Sequence, residues 1–320
     1  MRTLILIALA GAIAQLVDGA LGMGFGATST TMLILAAGLG PAQASAVVHT
    51  AELGTTLASG ISHWRFGNVD WRLALRLGIP GAVGAFLGAY VLSNLSTAAA
   101  APVTAGILTA IGLHLLLRFS RGAPHHAVAT DTRRRGRVLG LLGLTGGFID
   151  ASGGGGWGPV TASTLMSLRH AEPRRVVGTV NTSEFLVTAA ATTGFAIGMR
   201  EELLAHLPAV AALLVGGVIA APFAAWLVSR MQPGLLGGAV GTALMLVNAP
   251  RVVGALDTAT WVLPAVEVAL LALGVGLTCC GVRRMRKRAK VRVMDEAAPE
   301  VPVGRSENIK HRKPIGVGER

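Results

Sequence analysis

Asp150-Ala151-Ser152-Gly153-Gly154-Gly155-Gly156-Trp157-Gly158-Pro159 is the stretch on which the reading of this chain turns. Four consecutive glycines cannot sit in the middle of a stable helix, since each costs about 1 kcal/mol relative to Ala. Yet the run lies between two apolar segments, 138–148 and 160–168. It is a break at membrane depth rather than a surface loop. The same break occurs earlier, over Asp18-Gly19-Ala20-Leu21-Gly22-Met23-Gly24-Phe25-Gly26. A shift of about 132 residues superposes the two. Asp18 falls on Asp150, Gly22 on Gly154, Gly24 on Gly156, Phe25 on Trp157 and Gly26 on Gly158. The register continues without a gap, with Pro41 on Pro173, Thr50 on Thr182 and Glu52 on Glu184. His49 falls on Asn181, a clear departure. The chain is two copies of one unit, and each copy opens with a broken hairpin.

Composition places the repeat in a bilayer. Of 320 residues, 52% are apolar and only 14% charged, with a mean hydropathy of +0.60. A soluble domain carries about 25% charged residues. Apolar runs of about 20 residues recur, as in a multi-pass protein of the plasma membrane. The net charge of +12 does not point to nucleic acid, because no binding module accompanies it. Lys and Arg lie between apolar runs and in the tail, as positive-inside topology requires. Adjacent Cys279 and Cys280 form no disulfide framework, and their adjacency is weak support for lipidation. The N-terminus imitates a signal peptide, but it aligns with the internal segment 137–148, which cannot be cleaved.

The first repeat covers 1–119. A half-helix, Leu4–Val17, leads to the break, a short helix follows over Ala27–Ala37, and Pro41 opens a long helix to Trp64. A basic loop, Arg65–Arg72, precedes spans at Leu73–Leu92 and Ala98–Leu117. A basic linker, 120–136, contains Arg133, Arg134 and Arg135. The second repeat, 137–250, has Val138–Asp150 and Val160–Leu168 around the glycines, a long helix at Arg174–Ile197, and spans at Leu203–Val228 and Leu235–Val247. One further transmembrane helix, 257–282, has no counterpart, and the basic tail, 283–320, reads as disordered and cytoplasmic. The first residues of that tail suit contact with anionic lipid.

With the tail inside, the linker and nearly every other basic loop fall inside, leaving Arg2, Arg200 and Arg251 outside. Each half holds a hairpin plus three spans, an odd count, so the halves enter from opposite sides. The predicted fold is all-α: a polytopic membrane protein with two inverted-topology repeats and one extra C-terminal span. Broken helices in inverted repeats meet near the midplane and form transport sites.

Gly147–Pro159 (G-F-I-D-A-S-G-G-G-G-W-G-P), Ala51–Gly60 (A-E-L-G-T-T-L-A-S-G) and His63–Asp70 (H-W-R-F-G-N-V-D) carry a family likeness. Together with the doubled break they make the chain, from about Leu4 to Val247, similar to the sulfite exporter TauE/SafE family of membrane transporters. The resemblance implies export of sulfite, sulfonates, sulfoacetate or other organic anions. It does not by itself define which.

Candidate residues follow from charge and backbone. Helices that begin near Gly26 and Gly158 would aim free amides at an anion. Gly22, Gly24, Gly26, Gly154, Gly156 and Gly158 are therefore substrate-binding candidates, with tight crossing of the halves as the competing role. No Lys-Ser or Lys-Thr follows either run, which excludes a nucleotide phosphate loop. Asp18 and Asp150 are intramembrane acids. They take part in the transport cycle or cap the short helices, and capping would still shape the site. Glu52 and Glu184 sit near the middle of the long helices with no intramembrane Lys or Arg to pair with, which makes them proton-coupling candidates. Neutral interhelical hydrogen bonds are the alternative. His49 and Asn181 lie about one turn earlier on the same face. His49 suits proton relay or substrate binding. Thr50, Thr182 and Ser183 add hydroxyl donors suited to an oxyanion.

The leading expectation is a secondary transporter of a small anion, acting in the bilayer with no cofactor. A cation transporter, or cation coupling, of the same architecture is the alternative, since core acids outnumber core bases. An enzyme is disfavoured, because neither H-E-x-x-H nor G-x-S-x-G occurs. Linker His125 and His126 do not make a metal site. Oligomeric state is not readable.

Overall fold

Glycine ends the opening helix of each half. The computed structural model describes residues 1–21, 23–121, 132–167, 173–228, 233–255 and 262–296, and its described elements are all helices. In the first half, α1 (Arg2–Leu21) is followed by α2 (Phe25–Ala36), α3 (Pro41–Arg65), α4 (Trp71–Ser93) and α5 (Thr97–Arg121). In the second, α6 (Thr132–Gly153) leads through a π-helical turn (Gly158–Ala162) into α7 (Ser163–Ser167). Next come α8 (Pro173–Gly198), α9 (Arg200–Ala205), α10 (Leu207–Val228) and α11 (Pro233–Gly254), and α12 (Val262–Glu296) closes the series. Two units are distinguished: Met1–Met285, and Arg286–Arg320, which is helical as far as it is described.

Among the described residues, α4, α5, α11 and α12 contain stretches long and apolar enough to cross a membrane. The long helix α3 does not qualify, because its interior carries His49, Glu52 and several hydroxyls. These are buried against other helices rather than turned to lipid.

The packing repeats when the halves are exchanged. Helix α1 lies against α10, and α6 lies against α4, so each half's opening helix rests on the other half. Glycine makes these crossings close. Gly11 faces the Leu213 carbonyl and Gly216 that of Ala8, while Gly143 faces the Leu77 carbonyl and Gly84 that of Leu144. Helices α5 and α11 also cross backbone to backbone. A Cβ on Gly112 would lie 2.8 Å from the Gly241 carbonyl oxygen, and one on Gly241 2.6 Å from that of Gly112. The long helices α3 and α8 meet at the centre, where the hydroxyls of Thr56 and Thr188 are 3.5 Å apart.

Several boundaries differ from the sequence expectation. Helix α1 continues past Val17 to Leu21 and α6 past Asp150 to Gly153, so both aspartates sit in last turns rather than beyond them. The expected short helix at 160–168 begins as a π-turn, since Pro159 has no amide to donate. Leu203–Val228 is two helices, because Pro208 suits the first turn of a new helix better than the interior of an old one. Helix α11 runs on from Val247 to Gly254. Helix α12 runs past Val282 to Glu296, so the beginning of the tail is helical rather than disordered, as its Arg, Lys, Met and Ala permit. The linker is shortened from both sides, by α5 reaching Arg121 and α6 starting at Thr132. Residues 122–131, including His125 and His126, and the tail from 297 lie outside the described residues.

Candidate functional site

The two breaks are built alike. Met23 and Gly24 separate α1 from α2, and Gly24 adopts φ 112°. In the second, Gly154 and Gly155 take φ 72° and 144°, the left-handed region that glycine enters without a Cβ clash. Each preceding aspartate reaches over its break to the amide of the aromatic residue beyond. The Phe25 amide bonds to Asp18. Asp150 Oδ1 accepts from Trp157 at 2.9 Å and also from Gly156 at 2.6 Å. Capping is therefore a role that both aspartates fill. Trp157 is fully buried, and its indole donates to the Val180 carbonyl at 3.2 Å.

The tips of the breaks touch through backbone. A Cβ on Gly26 would lie 2.7 Å from the Gly155 Cα, and one on Gly155 would collide with Gly26 and Ala27. The Thr30 hydroxyl donates to the Gly154 carbonyl beside this contact. Ser45 and Thr104 donate to the carbonyls of Ala151 and Ser152, at 2.7 and 3.1 Å. The end of α6 is thus held by hydroxyls from α2, α3 and α5.

Between the breaks lies a cavity of about 630 Å³, counting its open mouth. Gly24, Gly26, Gly156 and Gly158 form its backbone wall, and Asp18, Glu52, Asp150, Glu184 and Asn181 supply its polar side chains. Among these lining residues there is no Lys or Arg. The four carboxylates are close enough to act on one another electrostatically.

His49 sits behind the wall, with no exposed surface. Its Nδ1 is 3.1 Å from Glu52 Oε2 and 3.9 Å from Asp150 Oδ2, and its Nε2 is 3.3 Å from the Asp150 carbonyl oxygen. Phe195 stacks on the ring at 6.2 Å between centroids. The partner of Glu52 is neither Lys nor Arg but this histidine, one turn back on the same helix. Asn181, the repeat counterpart, instead donates to the Ser59 hydroxyl at 3.3 Å.

The other candidates lie elsewhere. Gly22 falls outside the described residues. Gly154 stands behind the wall, occupied with Thr30. Thr50, Thr182 and Ser183 donate to carbonyls of their own helices, Ala46, Gly178 and Val180, each at 2.7 Å. Thr182 and Ser183 face a separate, largely apolar cavity beside Trp64 and Trp71.

The cavity also has members that the sequence reading passed over. Gln15, Thr55 and Thr56 line it. Each lies within about one helical turn of a flagged acid, and helical spacing was the signal available. Arg118, at the end of α5 and not among the expected site residues, is half-buried. Its guanidinium bonds to the Ser163 hydroxyl and approaches the Met23 sulfur at 3.4 Å.

The family described as "Sulfite exporter TauE/SafE" matches residues 7–250. A Bacillus subtilis (strain 168) protein, "Probable membrane transporter protein YtnM", is 45% identical over 276 residues, covering 85% of this chain and 90% of that protein. A second protein from that strain, "Probable membrane transporter protein YdhB", is 28% identical over 201 residues, covering 60% and 80% respectively. No solved structure matches.

Proposed function

The chain belongs to the sulfite exporter TauE/SafE family, and on that premise we propose that it is a secondary transporter that exports a small anion, sulfite, a sulfonate or another organic oxyanion, with protons coupled to the cycle. The observation that carries this reading is convergence. Two glycine breaks and two glutamates, each pair separated by about 132 residues in sequence, line one cavity.

The first amides of a helix have no acceptor within the helix. Those of Gly26 and Ala27 belong to the cavity wall at the start of α2, where the helix dipole favours negative charge. Four carboxylates share that wall, so an anion enters only with their charge reduced. Protons on Glu52, Glu184 and His49 supply that reduction. Anion and proton then bind with positive, reciprocal coupling. Asp18 and Asp150 keep the break amides in position throughout.

The exchange-symmetric packing supports two inverted repeats meeting at the cavity. In this reading the linker and tail are cytoplasmic, and the Gly38–Pro41 turn faces outside. Labelling of single cysteines, in a protein lacking Cys279 and Cys280, should mark that turn from outside intact cells. Labelling of the 120–136 linker from outside would overturn the inverted arrangement.

The test of function is flux. Proteoliposomes should move sulfite or a simple sulfonate, and an imposed pH gradient should change the rate several-fold. Absence of anion flux across a panel of sulfur oxyanions and sulfonates would sink the reading. A second reading rests on the four carboxylates with no Lys or Arg in the wall: coupling to, or carriage of, a monovalent cation. Flux that follows a sodium gradient and ignores pH would select it.

A further inference from the structure

A third cavity lies beyond the second break. It is walled by the Gly38–Gly40 turn, the first turn of α3, the first two turns of α5, and Asn248 and Arg251 of α11. Arg251 is the one charged residue in its described wall, and no carboxylate accompanies it. This is the reverse of the central cavity, with its four acids and no Lys or Arg.

Arg251 is held rather than loose. Its Nη1 donates to Asn248 Oδ1 at 3.2 Å. Asn248, only 1% exposed, is itself fixed by donating to the Leu244 carbonyl at 2.9 Å and the Thr31 hydroxyl at 3.2 Å. One donor of a five-donor fork is used in this way, and the planar remainder suits an oxyanion. Helices α3 and α5 begin at Pro41 and Thr97 in this wall, with Gly40 against Thr97, while α2 and α11 end beside it, so positive and negative helix ends offset one another and the net positive charge of the wall is that of Arg251. Thr31 is next to Thr30, whose hydroxyl donates to Gly154 at the second break. The cavity is therefore tied by hydrogen bonds to the tip that walls the central site.

The repeat supplies an independent argument. Thr31 and Ser163 are equivalent positions, and each is bonded from the end of the last helix of a half. Asn248, carrying Arg251, bonds Thr31, and Arg118 bonds Ser163 directly. Arg118 lies one position from where the repeat would set the counterpart of Arg251. A guanidinium joined to the segment after each break is thus a property of the unit, found in both copies despite their divergence elsewhere.

We infer that the Arg251 cavity is a second anion-binding site, a vestibule that holds a small oxyanion on the far side of the second break from the central cavity. The inference rests on the anion-transport reading. The vestibule, with no acid of its own, binds its anion without a proton, so the proton requirement belongs to the inner site alone.

The experiment is sulfite exchange in vesicles of known sidedness, with sulfite varied on the Arg251 side and saturating on the other. Arg251→Gln should raise the half-saturating concentration on that side about tenfold and leave both the maximal rate and the opposite side's half-saturation within about twofold, while Arg251→Lys recovers part of the loss. Ala101→Asp, which adds a carboxylate to the same wall, should shift it in the same direction and guards against a folding artefact at Arg251. An unchanged half-saturation in both Arg251→Gln and Ala101→Asp, in vesicles where the unaltered protein exchanges sulfite, overturns the vestibule and leaves the transport reading standing. No exchange by the unaltered protein overturns both.

Discussion

The two breaks start from one pattern and finish differently. Behind the first, Gly24 has room: a Cβ built there meets nothing nearer than Val17 Cγ1 at 3.7 Å, and α2 sets out as a regular helix. Behind the second, left-handed Gly155 presses on the backbone of Gly26 and Ala27 and left-handed Gly154 on the Thr30 side chain, the aspartate takes two amides, and the chain enters a π-turn. The first break is a bend with slack, and the second is a clamped joint that α2, α3 and α5 hold by hydroxyl bonds. Moving parts of a transport cycle need an element with two arrangements. The comparison assigns the permanent wall to the heavily bonded tip of α6, and the freedom to the first break at Gly24, where an added Cβ would meet no backbone.

The largest test of that difference is a pair of glycine substitutions. Gly155→Ala should remove more than about 99% of flux, because its Cβ would overlap backbone that has no side chain to move aside. Gly24→Ala carries only the conformational cost of a left-handed Ala, about 1–2 kcal/mol, and should retain measurable flux. Equal loss in two variants of matched membrane abundance would erase the distinction between slack and clamp.

Next come the aspartates. Asp150→Ala leaves two buried amides without an acceptor and should lower stability by about 2–4 kcal/mol, each orphan costing about 1–2 kcal/mol. Asp18→Ala orphans one amide and should cost about half as much. Thermal unfolding in detergent measures both, and an Asp18 effect equal to or larger than that of Asp150 would reverse the ranking.

A smaller effect is expected where the halves differ in chemistry rather than shape. His49→Asn makes the first long helix match Asn181 of the second. It should preserve folding, slow transport about tenfold and flatten its pH profile, since the ring joining Glu52 to Asp150 is gone. A pH profile identical to that of the unaltered protein would remove His49 from the coupling. The mildest variant is Glu184→Gln, which keeps shape and a donor. Anion half-saturation should stay within about threefold while the pH response weakens, and sulfite flux across a pH series decides it.

Much of this was legible in the sequence, and for a physical reason. Glycine runs and intramembrane acids are costly in lipid, so their recurrence at one spacing marked the repeat and most of the cavity wall. Residues whose role depends on a neighbour from another helix were not legible. His49 was noticed, but its Asp150 partner lies 101 positions away. Arg118 gave no signal, because nothing in an arginine at the end of a span says whether it turns to water or inward to Ser163. Thr50, Thr182 and Ser183 looked like anion donors, yet a hydroxyl inside a helix finds its own backbone carbonyl first. The helical start of the tail was missed because composition alone argued for disorder, while local propensity favours helix.

Thr56 and Thr188 meet hydroxyl to hydroxyl at the centre of the bundle, each being the other's counterpart in the repeat. A residue at such a point faces its own image, so it must be compatible with itself. Lysine, a donor only, or an ionised aspartate, an acceptor only, would repel its copy there. A hydroxyl can spend its proton on its own helix, as Thr56 does on the Glu52 carbonyl and Thr188 on the Glu184 carbonyl, and so meets its copy with neither a charge nor an unpaired donor. Two halves free to drift apart over most of their length are therefore bound at this one position to change together or not at all.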